Sequence, residues 1–251
     1  MQKILGCIMD IGEEMLLCGA EVHRVEDSIE RMCRAYGVKR VDVFGITSSL
    51  VVTVFMPNEE TYTETRRINS IGTNMERLHQ LNQLSRKICE ETLSVEEIKN
   101  EFQKCLCAKQ YPYWLVCIFY GVIAGAFTAF FGGEWRDILL SPVIGIVISF
   151  ITYFAEKLTI NRIFVKFVCS LSVTAMAFLF MKLNWITNVD MVIIGNIMVL
   201  IPGVGLTNAI RDLFVGDSIA GLLRLIEAVL LALAIGAGYF LFVWLMGGAF
   251  L

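Results

Sequence analysis

Ile201-Pro202-Gly203-Val204-Gly205-Leu206-Thr207-Asn208-Ala209-Ile210-Arg211-Asp212-Leu213-Phe214-Val215-Gly216-Asp217-Ser218 is a proline/glycine break followed by charges, set inside an otherwise apolar half of the chain. An ionised side chain at bilayer depth costs about 2.5–3.5 kcal/mol even on the lenient insertion scale, so Arg211, Asp212 and Asp217 need partners, water or a solute. The segment therefore reads as a membrane-transport site. The rest of the chain suits that reading, since 56% of its 251 residues are hydrophobic, too high a share for an ordinary soluble domain.

Most charged residues precede Lys109, and long apolar runs follow. Two domains are expected, a cytoplasmic α+β domain over 1–110 and a transmembrane domain over 111–251. The opening Met1-Gln2-Lys3-Ile4-Leu5-Gly6-Cys7 runs into Asp10, Glu13 and Glu14 without an apolar h-region, so the first domain is expected to stay in the cytoplasm. Cys7, Cys18, Cys33, Cys89, Cys105 and Cys107 lie there as free thiols; they form no CxxC pair, and no metal site is expected. A net charge of −3 argues against a nucleic-acid partner.

In the first domain, Ile4, Ile8, Ile11 and Met15 recur at helical spacing over roughly 2–18, and Val22, Val25, Ile29, Met32 and Tyr36 continue the stripe to Gly37. From Val41 to Phe55 the residues turn β-branched, interrupted at Thr47-Ser48-Ser49, and Thr61–Arg67 follows a turn at Pro57; a small antiparallel sheet is expected. Thr73 with Glu76 and Ser94 with Glu97 have capping-box spacing and should each open a helix.

Since a bilayer core of about 30 Å takes about 20 helical residues, five spans are expected, at 113–131, 138–155, 163–181, 187–202 and 219–247. The fourth is short and stops at Pro202-Gly203, and the 204–217 piece that follows is amphipathic, so a discontinuous helix or a re-entrant element is expected there. Lys157, Arg162, Lys166, Arg211 and Arg224 fall on the side of the first domain, against Arg136 and Lys182 opposite, which places the N-terminus in the cytoplasm and the C-terminus outside. Gly121 with Gly125, and Gly236 with Gly238, are small enough to let helices approach closely.

The candidate substrate path comprises Asn196, Pro202, Gly203, Asn208, Arg211, Asp212, Asp217, Arg224 and Glu227. In a helix, Asn208 and Asp212 share a face, as do Thr207 and Arg211; Arg224 and Glu227 are three apart, and Asp217 and Gly221 lie on the Arg224 face. A small anionic or zwitterionic solute needs a fixed cation for its carboxylate and an anion or carbonyl for an amine, and these residues supply both. The competing reading makes Arg211–Asp212 and Arg224–Glu227 interfacial or structural pairs. Ser170, Ser172 and Thr174 are cavity candidates, although such hydroxyls commonly bond their own helix. Gly19-Ala20-Glu21-Val22-His23-Arg24-Val25-Glu26 gathers acids, a base and an imidazole, but a lone histidine is a weak catalytic or metal signal. No catalytic residue is assigned, and Gly203-Val204-Gly205 completes no phosphate loop, so no cofactor is expected.

Gly19-Ala20-Glu21, Arg24-Val25-Glu26, Ala35-Tyr36-Gly37 and the Ser94-capped helix resemble the N-terminal domain of the threonine/serine exporter family. Pro202-Gly203, Asn208-Ala209-Ile210-Arg211-Asp212, Gly216-Asp217 and Gly221-Leu222-Leu223-Arg224 resemble that family's membrane signature. The resemblance implies a secondary exporter of small amino acids or, in two-component systems, of a dicarboxylate such as succinate, in the inner or plasma membrane. It also implies a partner: full-length members have two membrane halves, this chain matches the first, and a separate small membrane subunit supplies the second. Glu21, Arg24 and Glu26 are then the motif of the cytoplasmic domain. The resulting expectation is a proton-coupled exporter subunit, with Asp212, Asp217 or Glu227 as proton acceptor and Arg211 as carboxylate clamp, compatible with homo-oligomers. The rivals are a membrane-anchored cytoplasmic sensor or enzyme and an assembly subunit for a transporting partner.

Overall fold

The computed structural model describes residues 1–69, 72–107 and 111–246. The expected domain boundary after residue 110 and the end of the last span at 247 lie outside the described residues. The chain divides into two compact units, Met1–Lys109 with Val204–Leu225, and Gln110–Gly203 with Ile226–Leu251.

The first unit opens with α1 (Gln2–Leu17) and α2 (Val22–Ala35), followed by β1 (Arg40–Ile46), β2 (Ser49–Phe55), β3 (Thr61–Arg67), α3 (Met75–Glu91) and α4 (Val95–Leu106). The strands form one antiparallel sheet in the order β1-β2-β3, with Val52 facing Val43 on one side and Glu64 on the other. Alternation along β2 sends Leu50, Val52 and Val54 into a core shared with Ile8, Ile11 and Met15 of α1, Ile29 and Met32 of α2, Leu81 and Ile88 of α3 and Ile98 of α4. Burial pushes the thiols in this core up, Cys18 to about 11 and Cys33 to about 12, so both stay protonated at neutral pH.

The Ser94–Glu97 capping box forms as the spacing predicts. The other does not: Asn74 caps α3, its side chain accepting from the Arg77 amide at 3.0 Å. Asn is at least as good a cap as Thr, and starting the helix one residue later moves Glu76 from the third to the second helical position, still within the first turn.

The second unit contains α5 (Tyr113–Phe130), α6 (Trp135–Lys157), α7 (Arg162–Lys182) and α8 (Val189–Met198). α9 (Gly203–Val215) and α10 (Ser218–Met246) complete the chain. Four helices, α5, α6, α7 and α10, are long and apolar enough to cross a membrane, and α8 with α9, bent by 56° at their break, makes a fifth if counted as one span. The protein is therefore mostly helical and multi-pass, with a small sheet near its start. The break expected at Pro202-Gly203 is present, but the helix before it is shorter than the expected 187–202: α8 stops at Met198, and at 1.5 Å per residue its length is about 15 Å, half the hydrocarbon core. The physical cause is local. Pro202 has no N–H and disfavours helical backbone at Ile201, and the chain tightens beforehand through Val199 N to Asn196 O and Leu200 N to Ile197 O.

Helices approach closely at Gly145, Gly195 and Gly238. A Cβ on Gly145 of α6 would stand 2.7 Å from Tyr120 O of α5, one on Gly195 of α8 2.2 Å from Thr128 Oγ1, and one on Gly238 of α10 2.5 Å from Phe167 O of α7. Gly121 and Gly125 do meet α6, whereas around Gly236 the space is open, so only Gly238 of that pair serves a contact.

Candidate functional site

The loop between α1 and α2 is the base of the site in the first unit. Gly19 sits at φ +92°, a conformation that favours glycine, and a Cβ there would meet Gly72 O at 2.7 Å. Ala20 N bonds back to Met15 O, while Gly72 N and Asn74 N donate to Leu17 O and Cys18 O, at 2.7 and 3.0 Å. The turn is thus pinned on both sides.

Three consecutive residues of this turn receive three side chains from α9 and α10. Asn208 Nδ2 donates to Gly19 O at 3.2 Å, Arg224 Nη2 to Ala20 O at 2.6 Å, and Arg211 Nη1 to Glu21 Oε1. The two motifs picked out in the sequence, 190 residues apart across the Arg211–Glu21 bond, therefore form a single site. A hairpin turn at Gly216 brings α9 and α10 together: Asp217 N donates to Asp212 O at 2.9 Å, and a Cβ on Gly221 would stand 2.8 Å from Leu213 N.

The two arginines differ in environment. Arg224 Nε lies 3.5 Å from Asp212 Oδ2 with the side chains only 6% and 2% exposed, whereas Arg211 is 52% exposed and Glu21 14%. An exposed pair contributes about 0–1 kcal/mol, while stripping one partner from a buried pair costs about 3–5 kcal/mol. Arg224–Asp212 is the anchor, and Arg211–Glu21, exposed on its arginine side, is the weaker pair. Glu21 has a second cation, Arg24, with Nε 3.3 Å from its Oε2. The anchor is incompletely satisfied: Asp212 Oδ2, Asp217 Oδ2 and Arg224 Nε are buried without a hydrogen-bond partner in the described structure. Such atoms are where water, a proton or a solute atom finds a place.

Longer contacts hold three of the candidate side chains. Asn208 turns to Gly19, Arg211 to Glu21 and Arg224 to Asp212, while Glu227 is exposed on α10. Pro202 and Gly203 occupy the break, where Gly203 N donates to Ile201 O at 2.9 Å.

Glu26 of α2 accepts the Gly45 amide at 2.6 Å. Burial pushes its carboxyl above the usual range, the charges of Asp217 and Asp212 push the same way, and the Gly45 N–H and His23 pull it down. A carboxyl raised by folding favours the fold while protonated, so this contribution is complete below the unfolded value of about 4.3 and is lost as pH rises through the folded one. Glu26→Gln keeps the acceptor and removes that dependence: its unfolding temperature should match wild type at pH 4 and exceed it at pH 8. A variant less stable than wild type at pH 8 would contradict the assignment.

Asn196, the remaining path candidate, lies in the second unit, fully buried. Its Nδ2 donates to Val192 O at 2.9 Å and Ser141 Oγ at 2.7 Å, and Ser141 shares a 2.7 Å bond with Thr128, which donates to Ala124 O. Val192 O can only accept, which fixes the amide orientation and leaves Asn196 Oδ1 unpartnered. Of the three hydroxyl candidates in α7, Ser172 and Thr174 bond their own helix, and Ser170 donates to Ile235 O of α10 at 2.6 Å.

The sequence reading missed Asp137. Fully buried in α6, it caps its own helix by accepting Glu134 N at 2.9 Å and reaches across to Thr187 N at 2.7 Å and Asn188 N at 3.3 Å. The only local signal was an acid three residues after Glu134, just beyond Gly132-Gly133. Among the described residues, no group of three or more His, Cys, Asp or Glu side chains is arranged to hold a metal ion.

A family model described as "Putative threonine/serine exporter" matches residues 7–246. Among curated proteins, a "Probable succinate transporter subunit YjjP" of Klebsiella aerogenes is 26% identical, the match covering 88% of this chain and 85% of that protein. Its Escherichia coli K12 namesake is 24% identical over 93% and 92% of the two chains. A "Pheromone-regulated membrane protein 10" of Eremothecium gossypii is 23% identical over 92% of this chain but only 32% of its own length. No solved structure matches the chain.

Proposed function

This chain belongs to the threonine/serine exporter family, and from that premise we propose that it works as one subunit of a proton-coupled secondary exporter of small carboxylate-bearing solutes, threonine and serine or a dicarboxylate such as succinate. A second small membrane subunit supplies the other half. Two relatives carry the word subunit in their names and are matched over most of their length, which supports a partner here too. The single observation that carries the site assignment is the buried Arg224–Asp212 pair, whose Nε and Oδ2 atoms, together with Asp217 Oδ2, lack hydrogen-bond partners. In this reading Arg211 clamps the cargo carboxylate, the proton is taken by Asp212, Asp217 or Glu227, and Asn196, Pro202, Gly203, Asn208 and Arg224 line the path. The α8–α9 pair counts as the fourth of five spans, with residues 1–110 in the cytoplasm, the remainder in the inner or plasma membrane and the C-terminus outside.

Arg211→Lys keeps the charge and loses the two-pronged guanidinium. Proteoliposomes containing both subunits should then export about tenfold less efficiently in kcat/KM, the equivalent of about 1.4 kcal/mol. Undiminished export at equal incorporation removes the clamp, and a fall in complex yield with export per complex unchanged makes the chain an assembly subunit.

A further inference from the structure

We propose that Glu21 is an internal ligand of Arg211, occupying the place of a cargo carboxylate and yielding it when cargo arrives; this rests on the exporter reading above. The turn that carries Glu21 makes two kinds of contact. Gly19 O and Ala20 O are backbone acceptors on a pinned turn, and they hold Asn208 and Arg224. Glu21 contributes a side-chain carboxylate, the same chemical group that a small acidic or zwitterionic solute would present, and it binds the most exposed of the three donors. A guanidinium recognises any carboxylate by the same pair of N–H groups, so the internal and the external ligand compete for one site.

Exchange leaves neither partner stranded. Glu21 retains Arg24 at 3.3 Å when Arg211 turns to cargo. It also stands at the N-cap of α2 without a side-chain cap bond, so the helix amide end offers the freed carboxylate a further resting place. The Arg224 contact to Ala20 O and the Asn208 contact to Gly19 O persist throughout, so the turn remains docked while its third contact opens and closes. Cargo arrival is thereby coupled to the start of α2 and the domain behind it.

Equilibrium binding of labelled L-serine and succinate to the full chain, with its partner subunit in nanodiscs, tests the exchange. Glu21→Gln should bind whichever probe the unaltered protein binds about fivefold tighter, the size expected for loss of a competing exposed ion pair. Glu21→Asp, which keeps the charge but shortens the reach, should move in the same direction by less and guards against a folding defect in the first variant. In an Arg211→Gln background, Glu21→Gln should have no effect, because the competition has no object. Unchanged or weaker binding by both Glu21 variants, or a fivefold gain that survives without Arg211, overturns the proposal alone. Binding of neither probe by the unaltered complex overturns the exporter reading and the proposal with it.

Discussion

Arg224→Ala should destabilise the protein by about 3–5 kcal/mol, the usual cost of stripping one partner from a buried ion pair. The side chain is only 6% exposed, and its loss leaves Asp212, 2% exposed, as a charge without its cation, while Ala20 O loses a 2.6 Å donor. Arg224→Lys restores the charge but not the reach to both acceptors, so it should recover part of the loss. The decisive comparison is Arg224→Leu with Asp212→Leu: removing both charges together should be less harmful than removing Arg224 alone. Unfolding temperatures in detergent, with monodispersity as a control, measure all three. A single Arg224→Ala change that leaves the unfolding temperature untouched would mean the pair is solvated and would remove the anchor from the site.

Asp137→Ala should cost about 2–3 kcal/mol, the upper range for a charge-assisted hydrogen-bond cluster. One carboxylate there serves the start of α6 through Glu134 N and the segment before α8 through Thr187 N and Asn188 N. Asp137→Asn keeps one oxygen for Thr187 but turns an amide donor toward the Glu134 N–H or its neighbours, so an intermediate loss is expected. Limited proteolysis between α7 and α8, alongside the unfolding temperature, reads the effect. An alanine variant as stable and as protease-resistant as wild type would contradict it.

Asp137 also shows where the sequence runs out. Helical periodicity marked α1 and α2, because their core stripes are set by neighbours three and four residues away, and the Ser94–Glu97 box marked the start of α4 for the same reason. Asp137 joins residues about 50 positions apart, and no local spacing encodes that. The polar segment after Pro202 announced itself by composition, since charges among apolar residues demand partners. Its partners lay in the Gly19–Glu21 turn, and two of the three are backbone carbonyls, which every residue type carries and no pattern distinguishes. Local spacing set Arg224 beside Glu227, whereas the structure pairs Arg224 with Asp212. The break itself was legible from Pro202, but its extent was not: the helix ends at Met198, ahead of the proline, because the backbone tightens first.

In the proposed function this chain carries a small carboxylate-bearing solute out of the cell together with a second subunit. Proteoliposomes holding the chain alone, the small membrane subunit alone or both, loaded with labelled serine, threonine and succinate under an imposed proton gradient, test it most directly. Gradient-dependent release of at least one of the three is expected only when both proteins are present. Release of none, with both proteins folded and correctly oriented, would contradict it.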